Sequence, residues 1–434
     1  MDDGRYGRFK RLWETYQIDP AFRKDAEEQI PGMFPAGEER LMREAILEMG
    51  KGRFSELGGN IYFCEFRERN RRVSGYVEQR VSPSSFREPQ MYAYLQRIRN
   101  RCRLESSAIR QHPNIFYYPL AFELSQGCRV GCSFCGLMAE RWVKDAPYEQ
   151  AFWKDILAAA GEYLGGIAGD APCYFATEPL DHPDYERFLM DMDEVLGEVP
   201  QTTTAVADRE EERIHSLIRF LGEERLAGQA RLRLSVRSIG QFRRISQEFS
   251  PEELANVELL PNNKESLIAA SDSGRNRPLE GRKKIRYSIC CVSGVKVNLA
   301  TRRMIFLEPV LPDEEHPCGY RIRESVSFAD QREFAEKLAG LYRRHACERL
   351  PDEEKLILHP YIQIEPSEDF LYLKGDGVGY RIPRNMYNEC MISALKKGGM
   401  FEEIIRGTGL TDSWKTALWE FLNQMFQKGY VINI

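Results

Sequence analysis

The stretch Phe116-Tyr117-Tyr118-Pro119-Leu120-Ala121-Phe122-Glu123-Leu124 leads, through Ser125-Gln126-Gly127, into Cys128-Arg129-Val130-Gly131-Cys132-Ser133-Phe134-Cys135. The first half is apolar and aromatic and reads as a strand. The second half is a Gly-containing loop with the spacing C-x3-C-x2-C. Downstream, helical stretches at 148–164, 183–197, 209–224 and 240–248 alternate with strand-like runs at 172–176, 201–206, 230–237, 256–260, 287–291 and 295–299. Strands alternating with helices predict βα units around a parallel sheet, about six of them between 115 and 310. The expected fold class is α/β.

Three thiolates this close in sequence point to one metal assembly, since soft sulfur ligands select iron–sulfur clusters, zinc or copper. Zinc wants a fourth ligand, usually from a second short motif. The six His (112, 182, 215, 316, 345 and 359) include no pair at short spacing and none beside the loop. Four-iron clusters are held by thiolates, and three of them leave one iron open to an exogenous ligand.

The cysteine spacing, with Phe134 just before the third Cys, resembles that of the radical S-adenosylmethionine (SAM) enzymes. The resemblance implies a partial (β/α)6 barrel carrying a 4Fe-4S cluster on Cys128, Cys132 and Cys135. SAM would chelate the open iron and, after one electron from an external carrier of flavodoxin or ferredoxin type, give methionine and a 5′-deoxyadenosyl radical. It also implies SAM contacts. Where the superfamily has Gly-Gly-Glu after strand two, this chain reads Ala176-Thr177-Glu178-Pro179-Leu180, with the acid but not the glycines. Glu178 is the candidate for the SAM amino group. Ser235 and Arg237, near the end of strand four, are candidates for ribose and carboxylate, with Phe134 on the cofactor and Thr203 and Thr204 behind them.

Within that superfamily, the block from Glu123 to Gly136 resembles the proteusin-type peptide epimerases, which convert L- to D-residues in ribosomal peptides. The stretches 234–238 and 292–303 resemble the same family, and Trp13…Asp19-Pro20-Ala21-Phe22-Arg23 resembles the nif-type leaders of its substrates. The resemblance implies a precursor peptide with a leader as partner. Its chemistry is Cα hydrogen abstraction followed by hydrogen return from a thiol. That family takes its donor from the C-terminal region, which puts Cys390 first, then Cys318, then Cys291 with its neighbour Cys290. The stretch from Glu308 to Tyr320 is only loosely like the family.

Outward from the centre, Phe9, Leu12, Trp13 and Tyr16 fall at helical spacing, and Asp19-Pro20 ends one helix and opens the next. Residues 1–112 are expected to be a helical region, 113–310 the barrel, 311–357 a connecting segment with a helix at 329–346, and 358–434 a separate unit. That last unit alternates as strands at 361–364, 370–373 and 380–382, then carries helices at 384–397, 400–406 and 412–428. Its stretches 394–404 and 421–431 resemble winged-helix peptide-recognition domains, which bind a leader as an added strand.

Composition trims the alternatives. With 61 Lys+Arg against 66 Asp+Glu the net charge is −5, so bulk attraction to nucleic acid or anionic membrane is not implied. Residues 67–110 hold eleven Arg and four Glu, the one feature that would suit RNA. No apolar run reaches the ~18–20 residues of a membrane span. The start lacks the layout of a signal peptide, so a cytoplasmic chain is the default expectation. Eleven cysteines, an odd number, do not suggest a disulfide framework. No second short-spaced Cys set offers an internal electron acceptor, which favours redox-neutral epimerisation. A thioether or carbon–carbon crosslinking radical enzyme, a tRNA-modifying one and a non-catalytic peptide binder stay open beside it.

Overall fold

The structure is a computed structural model that describes residues 2–30, 36–80, 86, 88–108, 117–133, 135–229, 231–267, 288, 290–351, 353–375 and 378–433. It opens with helices α1 (Asp3–Ile18), α2 (Pro20–Lys24), α3 (Ala26–Gln29), α4 (Ala36–Gly50), α5 (Ile61–Arg80) and α6 (Pro89–Ala108). Asp19 ends α1 and caps α2, accepting from the N–H groups of Ala21 and Phe22, with Pro20 as the first helical residue. Phe9, Leu12, Trp13 and Tyr16 form the buried face of α1 and pack with Met42, Ile46, Tyr62 and Phe63.

The centre follows as β1 (Tyr118–Glu123), β2 (Ser125–Gln126), β3 (Lys144–Asp145), α7 (Gln150–Leu164), α8 (Tyr185–Leu196), β4 (Thr202–Thr204), α9 (Glu211–Gln229), β5 (Leu232–Val236), α10 (Ile239–Glu248), β6 (Glu258–Pro261), β7 (Val292–Asn298), β8 (Arg303–Pro309), β9 (Tyr320–Ser327) and α11 (Gln331–His345). β1 and β7 pair in parallel, and β8 and β9 extend that sheet antiparallel in the order β1-β7-β8-β9. β4, β5 and β6 make a second, parallel sheet. The molecule is mixed α/β. Side chains alternate across each strand. Leu120, Phe122, Leu234, Val236, Val295 and Val297 face Trp153, Phe188, Phe242 and Leu338 from the helices. On the other side, Ala121, Val292 and Leu307 meet Phe175 and Cys290 in a smaller apolar cluster.

Three elements depart from the sequence expectation. Residues 172–176 form no strand. Phe122 N–H donates to Pro172 C=O, but Pro172 has no N–H to return, and the Ala176 N–H is taken by the Glu123 side chain. Of the run 287–291, residues 287 and 289 lie outside the described residues, and Cys290 and Cys291 precede β7. β8, at the end of the expected barrel, and β9, in the expected connecting segment, are strands that the sequence reading did not place. β9 alternates through ion-paired charges rather than apolar side chains: Arg321 and Arg323 meet Glu308, and Glu324 meets Arg344.

The chain ends with β10 (Leu356–Leu358), β11 (Gln363–Pro366), β12 (Phe370–Gly375), β13 (Val378–Pro383), α12 (Met386–Lys397), α13 (Phe401–Thr408), α14 (Lys415–Gln427) and β14 (Val431–Asn433). β11, β12 and β13 form an antiparallel sheet, and β10 pairs with β14. Leu356, Leu373, Leu395, Leu422 and Met425 fill a core of their own. Arg97 and Arg101 of α6 are buried where this unit meets the centre. The Arg97 guanidinium lies 4.0 Å from the Phe426 ring centre, and Arg101 donates to Pro309 C=O. These two arginines are therefore not part of an exposed basic stripe.

Candidate active site at the cysteine loop

The cysteine loop leaves the C-terminal end of β1, the end of parallel strands at which ligands gather. A short hairpin holds it. Ser125 and Gln126 pair with Asp145 and Lys144, Cys128 N–H donates to Glu140 C=O, and Trp142 N–H donates to Cys128 C=O. Gly127 is required here. Its φ is +78°, and a Cβ would come within 2.2 Å of the Arg141 carbonyl oxygen.

Arg129 clamps the loop to the segment after residue 178. Its backbone N–H donates to Asp181 Oδ2 at 2.8 Å, and its guanidinium reaches Asp181 C=O at 2.9 Å and Asp145 Oδ2 at 3.0 Å. The same guanidinium stacks 3.9 Å from the Trp142 ring centre. Asp145 in turn accepts from Ser125 Oγ and Trp142 Nε1.

Cys128, Cys132 and Cys135 form no disulfide, and none is fully buried. Burial pushes the Cys132 thiol up to about 12; the Arg237 guanidinium pulls against this, and the charges of Cys128 and Cys135 add to it. The three thiols therefore lie within electrostatic reach of one another. Among the described residues, no three His, Cys, Asp or Glu side chains converge as a metal cage. His182 is not a spare ligand. It is buried, with Nε2 on Ala146 C=O and Nδ1 accepting from Asp184 N–H. Three soft thiol donors on one loop suit a thiolate-held cluster better than a closed zinc site.

Glu178 is 5% exposed. One carboxylate oxygen accepts from Leu180 N–H and the other from Ala205 N–H at 2.8 Å, so the side chain ties the 178 segment to the end of β4. Burial pushes its pKa up to about 7, against hydrogen bonds from Thr204, Ala205 and Leu180. Ser235 is buried on β5, on the strand face opposite Leu234 and Val236. Arg237 follows β5, acts on Cys132 and lies 3.7 Å from Asp208. Thr203 Oγ1 meets the Tyr174 hydroxyl. Phe134 lies outside the described residues.

The three proposed donor thiols are not together. Cys390 sits half-buried on α12 in the C-terminal unit. Cys291 precedes β7, and burial pushes its thiol up to about 11 against the pull of Arg233. Cys318 is buried, and the Tyr320 phenol beside it is raised by burial and then by the charges of Cys318, Cys290, Glu123 and Cys135. Cys318 is thus on the cysteine-loop side of the molecule.

Sequence reasoning missed Asp181, Asp145 and the pair Glu123–Lys296. Lys296 Nζ lies 3.0 Å from Glu123 Oε2. The signal was present: Lys296 interrupts the apolar run from Val292 to Leu299, flanked by the core residues Val295 and Val297. A lone lysine opposite an apolar face reads as solvent-facing, which hid it.

No family model matches the chain. Among solved structures, BtrN in complex with AdoMet and 2-DOIA overlaps with a TM-score of 0.30 at 16% identity, covering 44% of this chain and 72% of that one, which is too slight to assign a fold. Among the described residues, no helix is long and apolar enough to cross a membrane. The Uncharacterized protein y4wI of Sinorhizobium fredii is 31% identical over 369 residues, 80% of this chain and 69% of that protein. This chain belongs to the family of that rhizobial protein.

Proposed function

We propose that the chain is a radical SAM enzyme that epimerises residues of a ribosomally made peptide. One observation carries the reading: three cysteine thiols stand on a clamped, glycine-turned loop at the end of β1, with buried Glu178 and half-buried Arg237 nearby. Cys128, Cys132 and Cys135 would hold a 4Fe-4S cluster. Such a cluster, with SAM on its open iron and one electron from an external carrier, supplies a 5′-deoxyadenosyl radical.

The chain's own residues do the rest. Glu178, Ser235 and Arg237 would hold SAM. The thiol of Cys318 returns a hydrogen atom to the substrate Cα, and one electron from the external carrier with one proton from solvent restores the thiol from its thiyl radical. Cys318 is preferred to Cys390 because Tyr320, two residues on, packs on the same apolar cluster as Leu137, two residues beyond Cys135. The three-stranded sheet β11-β12-β13 offers edge strands to a peptide leader. Exposed Met386, Tyr387 and Trp414 give apolar surface on the same unit.

The test is anaerobic reconstitution with iron and sulfide, then turnover with SAM and dithionite in deuterated water. The substrates tried are synthetic copies of any small peptides encoded in flanking reading frames. Four iron per chain, SAM cleavage and a deuterium at each D-residue are expected. Cys318→Ala should keep cleavage and lose the deuterium. One zinc and no iron would overturn the radical reading. A peptide lighter by two hydrogens would replace epimerisation by crosslinking.

A further inference from the structure

Glu123 and Lys296 form an ion pair that neither the cysteine loop nor the thiol donor uses. β1 and β7 run in parallel with Ala121 level with Lys296 and Glu123 level with Asn298. The Glu123 and Lys296 side chains are 5% and 17% exposed. Glu123 is held from three sides: Oε1 accepts from Ala176 N–H, and Oε2 accepts from Asn298 Nδ2 and faces the lysine. The surroundings are otherwise apolar. Ala121, Phe175, Val292 and Leu307 are buried there, and Leu137, two residues beyond Cys135, packs on them. Lys296 Nζ is 5.5 Å from the Phe175 ring centre.

Stability does not account for this lysine. Taking two charges out of water costs more than an ion pair usually returns, and a well-packed apolar pair would do as well or better. The ammonium has three N–H donors in all. The Glu123 carboxylate, itself fixed by Ala176 and Asn298, holds the ammonium 3.0 Å away and leaves it donors to give to another acceptor.

We propose that Lys296 binds the substrate, donating to the backbone carbonyl oxygen beside the reacting Cα, while Glu123 holds the ammonium in place. The inference rests on the peptide reading above. An unpaired electron at Cα spreads onto the adjoining carbonyl, and a cation at that oxygen favours the spread. A donor fixed in advance in an apolar setting does this with little reorganisation. Glu123 lies five residues before Cys128, so lysine and cysteine loop stand at the same end of paired strands.

The experiment uses the full chain, reconstituted as above, with SAM, dithionite and a flanking-frame peptide in deuterated water. It reads the number of SAM molecules consumed per residue modified. A folding loss lowers both processes together and leaves this ratio alone. Lys296→Met should raise it at least tenfold, with a raised KM for the peptide, and Lys296→Arg should restore most of the coupling. Lys296→Met alone leaves Glu123 buried without its cation, so the double variant Lys296→Met with Glu123→Gln is measured beside it and should stay uncoupled. A double variant with the wild-type ratio overturns the proposal alone. So does a rise in the KM for SAM with none for the peptide, which would make the lysine a SAM contact. A wild-type chain that cleaves no SAM overturns the parent reading, and this one with it.

Discussion

Two buried glutamates, Glu178 and Glu308, are 5% and 2% exposed, yet the fold treats them in opposite ways. Burial pushes both towards the neutral form. At Glu308 that push is overcome by Arg321, Arg323 and Arg97, and the pKa is held down to about 2. At Glu178 the hydrogen-bond partners are neutral, and the pKa stands at about 7. Glu308 belongs to a junction. Arg321 and Arg323 also reach Glu354, which accepts from Asn433 of β14, and Arg97 stacks on Phe426 of α14. There the charges join the C-terminal unit to the central sheet. Beside the thiols the carboxyl is left poised between its two forms, the pattern typical of functional sites.

The largest effect should come from breaking the compensated end. Glu308→Ala leaves the buried Arg97 without its anion, while Arg321 and Arg323 keep Glu354. A loss of roughly 3–5 kcal/mol is expected, read as a lower midpoint in urea with an unchanged slope. The C-terminal unit should become protease-sensitive first. A loss under about 1 kcal/mol would show that the junction is held by packing alone.

The poised end should show itself through pH. Glu178 has a folded pKa above its ordinary 4.5, so its contribution is fully present below about pH 4.5 and is lost as pH rises through 7. Glu308 has the opposite sign: its contribution is present above 4.5 and is lost as pH falls towards 2. Glu178→Gln removes the first dependence. Between pH 4.5 and pH 8 the wild type should lose about 3 kcal/mol relative to the variant. Thermal midpoints of the two proteins at both pH values measure this. Parallel curves would mean that Glu178 is ionised throughout.

Much of the molecule was legible beforehand, and the failures have physical causes. β1, the cysteine loop and helices such as α7, α10 and α11 follow from apolar periodicity and spacing. The Asp19-Pro20 break follows from capping chemistry. β9 did not show, because Arg321 and Arg323 pair it with Glu308 across the sheet, and charged strands carry no apolar period; the apolar β8 was passed over. Residues 172–176 looked like a strand by composition, but Pro172 and the Glu123 side chain remove the hydrogen bonds a strand needs. At the site, Cys128, Cys132, Cys135 and Glu178 could be named from the motif. Asp181 and Asp145 could not, since their importance lies in a clamp to Arg129 that only the folded chain assembles.

That clamp gives the smallest expected effect, and it sharpens the comparison by setting an exposed ion pair beside the two buried carboxyls. The Arg129 side chain is 43% exposed, so its pair with Asp145 is screened by water and worth little as charge. What Arg129→Ala loses is a hydrogen bond to Asp181 C=O and a stack on Trp142, together about 1 kcal/mol. The backbone bond from Arg129 N–H to Asp181 survives the substitution, so the loop should loosen rather than detach. Amide exchange at residues 128 and 142, whose N–H groups bond across the hairpin, should speed up roughly fivefold. Amides in α7 and β7 should not change, and the global midpoint should fall by no more than a few degrees. Unchanged exchange at both hairpin amides would mean that Gly127 and the β2–β3 pairing hold the cysteine loop without the arginine.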